Sequence, residues 1–148
     1  PEERPLDIGP ASIAIFGMGR VGSGAYEKMA ELHGDDQVVG VDFDAERVQR
    51  HRAQGRHVVR GDPSDADFWD MLPDHRIELV MLALPNLQAN LDALAQLRQV
   101  GFAGRVAATA RYPDEDGPLR AAGATAVFNI YAEAGAGFAG HIEDRPLG

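Results

Sequence analysis

The sequence predicts a doubly wound parallel α/β sheet of six strands with helices on both faces, and three observations carry that prediction. Short apolar runs alternate with amphipathic helical stretches along nearly the whole chain, the pattern of βαβ units whose crossover helices cover a parallel sheet. A glycine-rich turn, Gly17-Met18-Gly19-Arg20-Val21-Gly22, joins the first apolar run to the first helical one. The next apolar run ends in Asp42, at roughly the twenty-residue spacing that separates glycines from carboxylate in a Rossmann-type nucleotide site.

Each element has its own signal. Ala11 to Phe16 is a continuous apolar strand, and Val21 to Leu32 is a helix with Val21, Ala25, Met29 and Leu32 on one face and His33-Gly34 at its end. Val38 to Phe43 is the second strand, and Ala45 to Gln54 is a helix with Glu46, Arg47, Gln49, Arg50 and Arg52 on its outer face, stopped by Gly55. A short third strand, His57 to Arg60, turns through Gly61-Asp62-Pro63-Ser64 into a helix over Asp65 to Leu72 with Ser64 as its N-cap. Ile77 to Leu84 is the most continuously apolar run and predicts the buried centre of the sheet. Pro85-Asn86 opens a helix that buries Leu87, Leu91, Leu94 and Leu97, and Gly101 follows it. Arg105 to Thr109 and Thr125 to Phe128 are the last strands, with a helix at Asp114 to Ala122 between them. Residues 1–10 read as a flexible lead-in or a severed connection, and residues 11–148 as one domain.

Composition narrows the function. The chain has 148 residues, 45% hydrophobic and 25% charged, which suits one soluble globular domain. No run approaches the length of a membrane span, and the N-terminus lacks signal-peptide character, so the chain reads as cytoplasmic. With no cysteine, disulfides, thiolate metal sites and a cysteine nucleophile are excluded. A net charge of −9 argues against a nucleic-acid surface, which needs clustered Lys and Arg. The five histidines, His33, His51, His57, His75 and His141, show no metal-pair spacing and read as solvated. Ser12, Ser23 and Ser64 lack a nucleophile-elbow context. The elements leave no substrate domain over, so no catalytic residue and no metal ligand is assigned.

The glycine turn has its own chemistry. Gly17 makes the tight turn, Gly19 lets the backbone approach a phosphate, and Gly22 lets the helix pack on the strand. The amides of Gly19, Arg20 and Val21 then face an anion at the helix N-terminus, where the dipole favours negative charge. Alternatively, the glycines only pack.

Four stretches carry a family resemblance: Gly17 to Gly22, Val41-Asp42-Phe43-Asp44, Gly55 to Asp65 with its Gly61-Asp62-Pro63-Ser64-Asp65, and Leu79 to Leu84. Together they resemble the TrkA-N, or RCK, regulatory domain of potassium channels and transporters. The G-x-G-R-x-G form and the later G-D-P-S-D distinguish them from dehydrogenases. The stretch Asn129 to Gly135 further resembles the cytoplasmic domain of Kef-type glutathione-regulated potassium-efflux proteins. The resemblance implies a regulatory piece of a membrane cation/proton antiporter, located on the cytoplasmic face, binding AMP or, as in other members, NAD(H), ATP or ADP, and acting as a homodimer.

Residue by residue, the resemblance assigns Arg20 to the phosphate and Asp42 to both ribose hydroxyls, with rejection of a 2′-phosphate; a surface arginine and a carboxylate capping the next helix are the alternatives. It assigns Asp62 and Pro63 to the adenine amino group, or else to a plain Asp-Pro turn. Phe43 lies against the adenine face or in the core, and Leu84, Pro85 and Asn86 line the far side of the cleft or only start a helix. Met18 and Val21 complete the binding set. Arg111 lies where a family arginine contacts glutathione or its adducts, or is an exposed arginine before a helix. Ile130, Ala134, Phe138 and Ile142 form an apolar stripe at helical spacing among Gly135, Gly137 and Gly140, which the resemblance assigns to the dimer contact. A small NAD(H)-dependent oxidoreductase and a structural dimerisation module without ligand are the rival readings.

Overall fold

A computed structural model describes residues 8–72 and 76–144 of the chain. Six parallel strands, β1 (Ile13–Phe16), β2 (Val38–Asp42), β3 (Val58–Arg60), β4 (Leu79–Leu82), β5 (Arg105–Ala110) and β6 (Ala126–Asn129), lie in the order β3-β2-β1-β4-β5-β6. The connecting helices are α1 (Arg20–His33), α2 (Ala45–Ala53), α3 (Ala66–Asp70), α4 (Leu87–Gln99) and α5 (Asp116–Ala121), and α6 (Ile130–Glu143) follows the last strand. This is the doubly wound Rossmann-type architecture expected from the alternating pattern. The strand order reverses between β1 and β4, and in register Phe16 stands between Val41 and Leu82. The carboxyl ends of three strands therefore open on one crevice, the place where such sheets bind ligands.

The sheet separates two apolar layers. On one face Phe16, Val41, Val80, Leu82 and Leu97 pack with the buried side chains of α3, α4 and α5. On the other, Ile13, Ile15, Val38 and Val58 pack with Tyr26 of α1 and Val48 of α2. Alternation along each strand sends neighbours to opposite faces, and two covered faces explain why β1 and residues 38–41 of β2 carry no polar side chain. Phe16, Phe68 and Trp69 form an aromatic cluster, with Phe16 stacked on Trp69 at 4.8 Å between centroids. The Trp69 indole donates to the Pro63 carbonyl at 2.7 Å, so α3 anchors the turn after β3.

Four sequence expectations are corrected in detail. The buried face of α1 is centred on Gly22 and Tyr26, while Val21 and Leu32 are exposed; Tyr26 stays on the inner face because its hydroxyl accepts the His57 amide at 2.7 Å. The N-cap of α3 is Asp65, whose carboxylate accepts from the Asp67 amide, and Ser64 belongs to the preceding turn. In α4 the buried residues are Asn90, Ala93, Leu94 and Leu97, with Leu87 and Leu91 only partly covered. Strand β4 is fully buried at Val80 and Leu82 but only half-buried at Leu79 and Met81. Of the lead-in, residues 1–7 lie outside the described residues, as does His75, and Ile8 is buried in the core. Among the described residues no helix is long and apolar enough to cross a membrane.

Candidate functional site

A cleft of about 640 Å³ opens at the carboxyl edge of the sheet, over the point where the strand order reverses. Its near side is made by the glycine turn and its far side by the ends of β4 and β5. Gly17 has a φ of +93°, and a Cβ there would stand 2.4 Å from the Ala83 carbonyl oxygen. A Cβ on Gly22 would stand 1.7 Å from the Gly17 carbonyl oxygen. Both positions therefore exclude side chains, and the turn enters α1 in a tight form that only these two glycines permit.

That entry leaves the first turn of α1 available. The N-caps of α2, α3, α4 and α6 (Asp44, Asp65, Asn86 and Asn129) each accept a backbone N–H through the side chain, whereas the α1 N-cap, Gly19, has no side chain to do so. The amides of that turn and the positive end of the helix dipole face the cleft and suit an anion. Arg20 lines the same rim, exposed, with no ion-pair partner among the described residues.

Asp42 ends β2 at the floor of the cleft, 5% exposed. One carboxylate oxygen, Oδ2, accepts from the Met18 amide at 2.8 Å and from Arg47 Nη1 at 3.3 Å, and Oδ1 accepts from the Asp44 amide at 2.9 Å. A carboxylate has about four acceptor positions, so one remains for a ligand hydroxyl. Accepting both ribose hydroxyls requires Arg47 to give up its contact. Arg47 itself lines the cleft and was not singled out from sequence.

Beside Asp42 the Phe43 ring is 61% exposed and lines the cleft, so it is not part of the core. Asp62 accepts from the Ser64 hydroxyl at 2.7 Å and the Ser64 amide at 2.9 Å, both through Oδ1. The hydroxyl contact, then the amide contact, hold its carboxyl below the usual aspartate range against the small opposing effect of burial, with the Arg60 charge assisting. Among the described residues Oδ2 has no such contact, which leaves it to meet an amino group. Pro63, Leu84 and Pro85 complete the walls, and Asn86 caps α4 by accepting the Ala89 amide at 2.9 Å.

Three members of the sequence-derived set do not line the cleft: Asn86, which only starts α4, Met18 and Gly22. Met18 is 1% exposed and lies beneath the turn against Gly40, and Gly22 is buried against Gly17. A large apolar side chain seats better between sheet and helix than in a polar phosphate site, which corrects Met18 to a supporting role. Gly17, Gly19, Arg20, Val21, Asp42, Phe43, Asp62, Pro63, Leu84 and Pro85 all meet at the cleft. The cleft also runs past them to Asp92, Thr109, Arg111 and Ile130.

The reading of the histidines as solvated is corrected at His51, which is 8% exposed. Its Nε2 lies 2.8 Å from the Met18 carbonyl oxygen. Asn90, 2% exposed, accepts the Leu84 amide at 3.3 Å and donates to the Thr109 carbonyl at 3.1 Å, tying the ends of β4 and β5 together at the far wall. The available signal was periodicity: His51 lies three residues after buried Val48, and Asn90 lies four before buried Leu94, each a polar residue on a buried helical face. Among the described residues no cluster of His, Asp and Glu is arranged to hold a metal ion.

A doubly wound sheet with an unblocked helix N-terminus and a strand-end carboxylate at its switch point defines the class of nucleotide-site α/β domains. Within that class, the TrkA-N domain family matches residues 13–130, and the chain belongs to it. No curated protein matches the chain in sequence. Among solved structures, the chain is similar to the NAD(P)-binding domain of an exopolyphosphatase-related protein from Archaeoglobus fulgidus, with 21% identity, a TM-score of 0.81, and coverage of 91% of this chain and 99% of that one. The TrkA-N domain of the inner membrane protein ybaL from Escherichia coli is 23% identical with a TM-score of 0.75, covering 90% of this chain and 96% of the other. The GsuK channel bound to NAD matches at 23% identity and a TM-score of 0.68, over 83% of this chain and 22% of that chain; GsuK has also been solved bound to ADP.

Proposed function

We propose that this domain is the ligand-sensing regulatory part of a Kef-type potassium/proton antiport system, binding an adenine nucleotide, AMP first, without performing chemistry on it. The observation that carries the reading is convergence: the uncapped α1 N-terminus, the unpartnered Arg20 and the buried Asp42 carboxylate meet in one cleft. Phosphate would lie on the α1 amides with Arg20 adding a charge-assisted bond. The ribose would meet Asp42, and the adenine would lie between Phe43 and the Asp62-Pro63 turn. A ligand so held crosslinks β1, β2 and β3 and stabilises the native state by mass action.

NAD(H) is the second reading, and one observation favours it. The cleft continues to Thr109 and Arg111 beyond the adenosine side, which gives room for a second moiety. Arg111, exposed and without an ion-pair partner among the described residues, suits a second anionic group, the role the family resemblance gives to glutathione or its adducts. The domain would work at the cytoplasmic face of the membrane, attached to or docked on the antiporter, as a homodimer. Helix α6 supports that last point: it buries none of its residues and exposes Tyr131, Phe138 and Ile142.

Thermal melts against AMP, ADP, ATP, NAD, NADH and NADPH test the site, repeated with Asp42→Asn and Arg20→Ala. At a hundred times Kd a ligand bound only by the native state adds about 2.7 kcal/mol. AMP is expected to raise the midpoint, with most of the rise lost in both variants. A rise with NADH alone moves the second reading ahead, and no rise with any nucleotide overturns the proposal.

A further inference from the structure

His51 is a buried titratable side chain that the proposed ligand contacts leave unused, and its surroundings fix what it does. Its Nδ1 lies 3.1 Å from Arg56 Nη1. A guanidinium only donates, so Nδ1 accepts, and the hydrogen-bond pattern assigns the ring proton to Nε2. That Nε2–H donates to the Met18 carbonyl oxygen at 2.8 Å. The Ser23 hydroxyl donates to the same oxygen at 3.1 Å and lies 3.4 Å from Nε2. Arg56 is held in turn by the Glu27 carboxylate of α1 and by the Gln54 side-chain carbonyl.

The Met18 carbonyl and the Gly19 N–H belong to one peptide group. A trans peptide is planar, with its C=O and N–H pointing in opposite directions. Tethering the Met18 oxygen inward, towards α2, therefore aims the Gly19 N–H outward, and Gly19 lines the cleft. Between glycines the backbone has wide conformational freedom, so this peptide needs a restraint. The Met18 amide on the preceding peptide is already fixed by Asp42 at 2.8 Å.

We infer that His51 is a positioning residue for the anion site, presetting the Gly19 amide through the Met18 carbonyl, with Arg56 and Glu27 locking the tautomer that can do so. The inference rests on the cleft being a nucleotide site. It differs from a packing role in one respect: it acts on the phosphate and not on the nucleoside.

The test compares wild type, His51→Phe and His51→Gln by calorimetry with AMP and with adenosine, and by the Gly19 amide signal in nitrogen-15 NMR of the unliganded protein. Phenylalanine fills the space without a donor, and glutamine restores a donor with similar reach. His51→Phe is expected to weaken AMP roughly tenfold, the effect of a lost buried hydrogen bond, to leave adenosine within about twofold, and to shift the Gly19 amide. His51→Gln is expected to recover most of the AMP affinity and the wild-type signal. Equal losses for AMP and adenosine, unchanged AMP affinity in His51→Phe, or no rescue by glutamine overturns the positioning role. If wild type binds no nucleotide, the site reading fails by itself, and the Gly19 amide still decides: an identical signal in wild type and His51→Phe overturns the inference.

Discussion

In the β3-β2-β1 half of the sheet every residue of β1 and β2 is buried, whereas in the β4-β5-β6 half alternate residues of each strand reach towards solvent and α6 buries nothing. Both halves come from the same strand-helix alternation. The first is closed by α1 and α2, whose Tyr26 and Val48 cover Ile13, Ile15 and Val38. In the second the equivalent face is left partly open. Thr109 and Phe128 stand in register on it, and Phe128 is 50% exposed. The contrast separates two surfaces: the closed half packs beneath the glycine turn, and the open half leaves Phe128 and the apolar side chains of α6 exposed.

The largest expected effect breaks the closed half at its tightest point. Gly22→Ala puts a methyl group where the Gly17 carbonyl oxygen already stands, 1.7 Å from the ideal Cβ position. Helix α1 must then move off β1, at a cost of about 3 kcal/mol. Urea denaturation followed by Trp69 fluorescence measures it; a midpoint within error of wild type would show that the α1 packing is softer than the geometry implies. Gly24→Ala, on the same helix with nothing within 4 Å of its Cβ position, is expected to stabilise by a few tenths of a kcal/mol to about 1 kcal/mol.

Next in size is the one buried polar tie of the open half. Of the buried polar residues described, Asp42 and His51 serve the glycine turn and Asn90 serves the β4-β5 edge. Asn90→Ala leaves the Leu84 amide and Thr109 carbonyl without this partner, which costs about 2 kcal/mol. The loss is expected to weaken ligands that reach Arg111 more than those confined to the adenosine side. Denaturation and nucleotide titration read the two effects separately.

The same division explains what the sequence could disclose. The glycine turn and Asp42 were legible because their chemistry is local: a turn that excludes Cβ atoms and a carboxylate at a strand end each follow from residues close in the chain. The parallel, doubly wound sheet was legible from the alternation of strands and helices, whereas the order β3-β2-β1-β4-β5-β6 came only with the structure. The supporting network was not, because Glu27 reaches Arg56 across 29 positions and His51 reaches the Met18 carbonyl across 33, and nothing in the local pattern pairs them. Met18 was misjudged for the converse reason. Inside a binding motif its large apolar side chain reads as a contact, yet its partner is Gly40, on the neighbouring strand. In α1 a helical wheel permitted Val21 and Leu32 on the inner face, and the Tyr26 bond to the His57 amide selects the rotation with Tyr26 inside instead.

A smaller effect on folding, but a decisive one for the open half, comes from α6. Phe138 is 73% exposed, so Phe138→Glu is expected to change monomer stability by no more than about 0.5 kcal/mol. In a homodimer built on this helix the added charge enters an apolar contact, and sedimentation velocity is expected to show wild-type dimers and variant monomers. A monomeric wild type would leave the open face without the partner proposed for it.

The smallest expected effect sits at the rim of the closed half, in the Asp62 turn. The Ser64 hydroxyl and amide both stabilise the ionised Asp62 carboxylate, so its folded-state pKa lies below the unfolded value. A depressed carboxylate pKa contributes stability that is fully present above the unfolded value, about 3.9, and is lost as pH falls through the folded value. Ser64→Ala removes the larger of the two contributions and keeps the amide, so the Asp62 titration is expected to move up towards the ordinary range without reaching it. Because the carboxylate is exposed, solvent screening keeps the accompanying change in stability small. Carbon-13 detected NMR titration of the Asp62 carboxyl in both proteins measures the shift directly. If AMP is added and its amino group meets Oδ2, the Asp62 titration falls further in both proteins; an Asp62 titration indifferent to saturating AMP would remove this turn from the adenine site while leaving the glycine turn untouched.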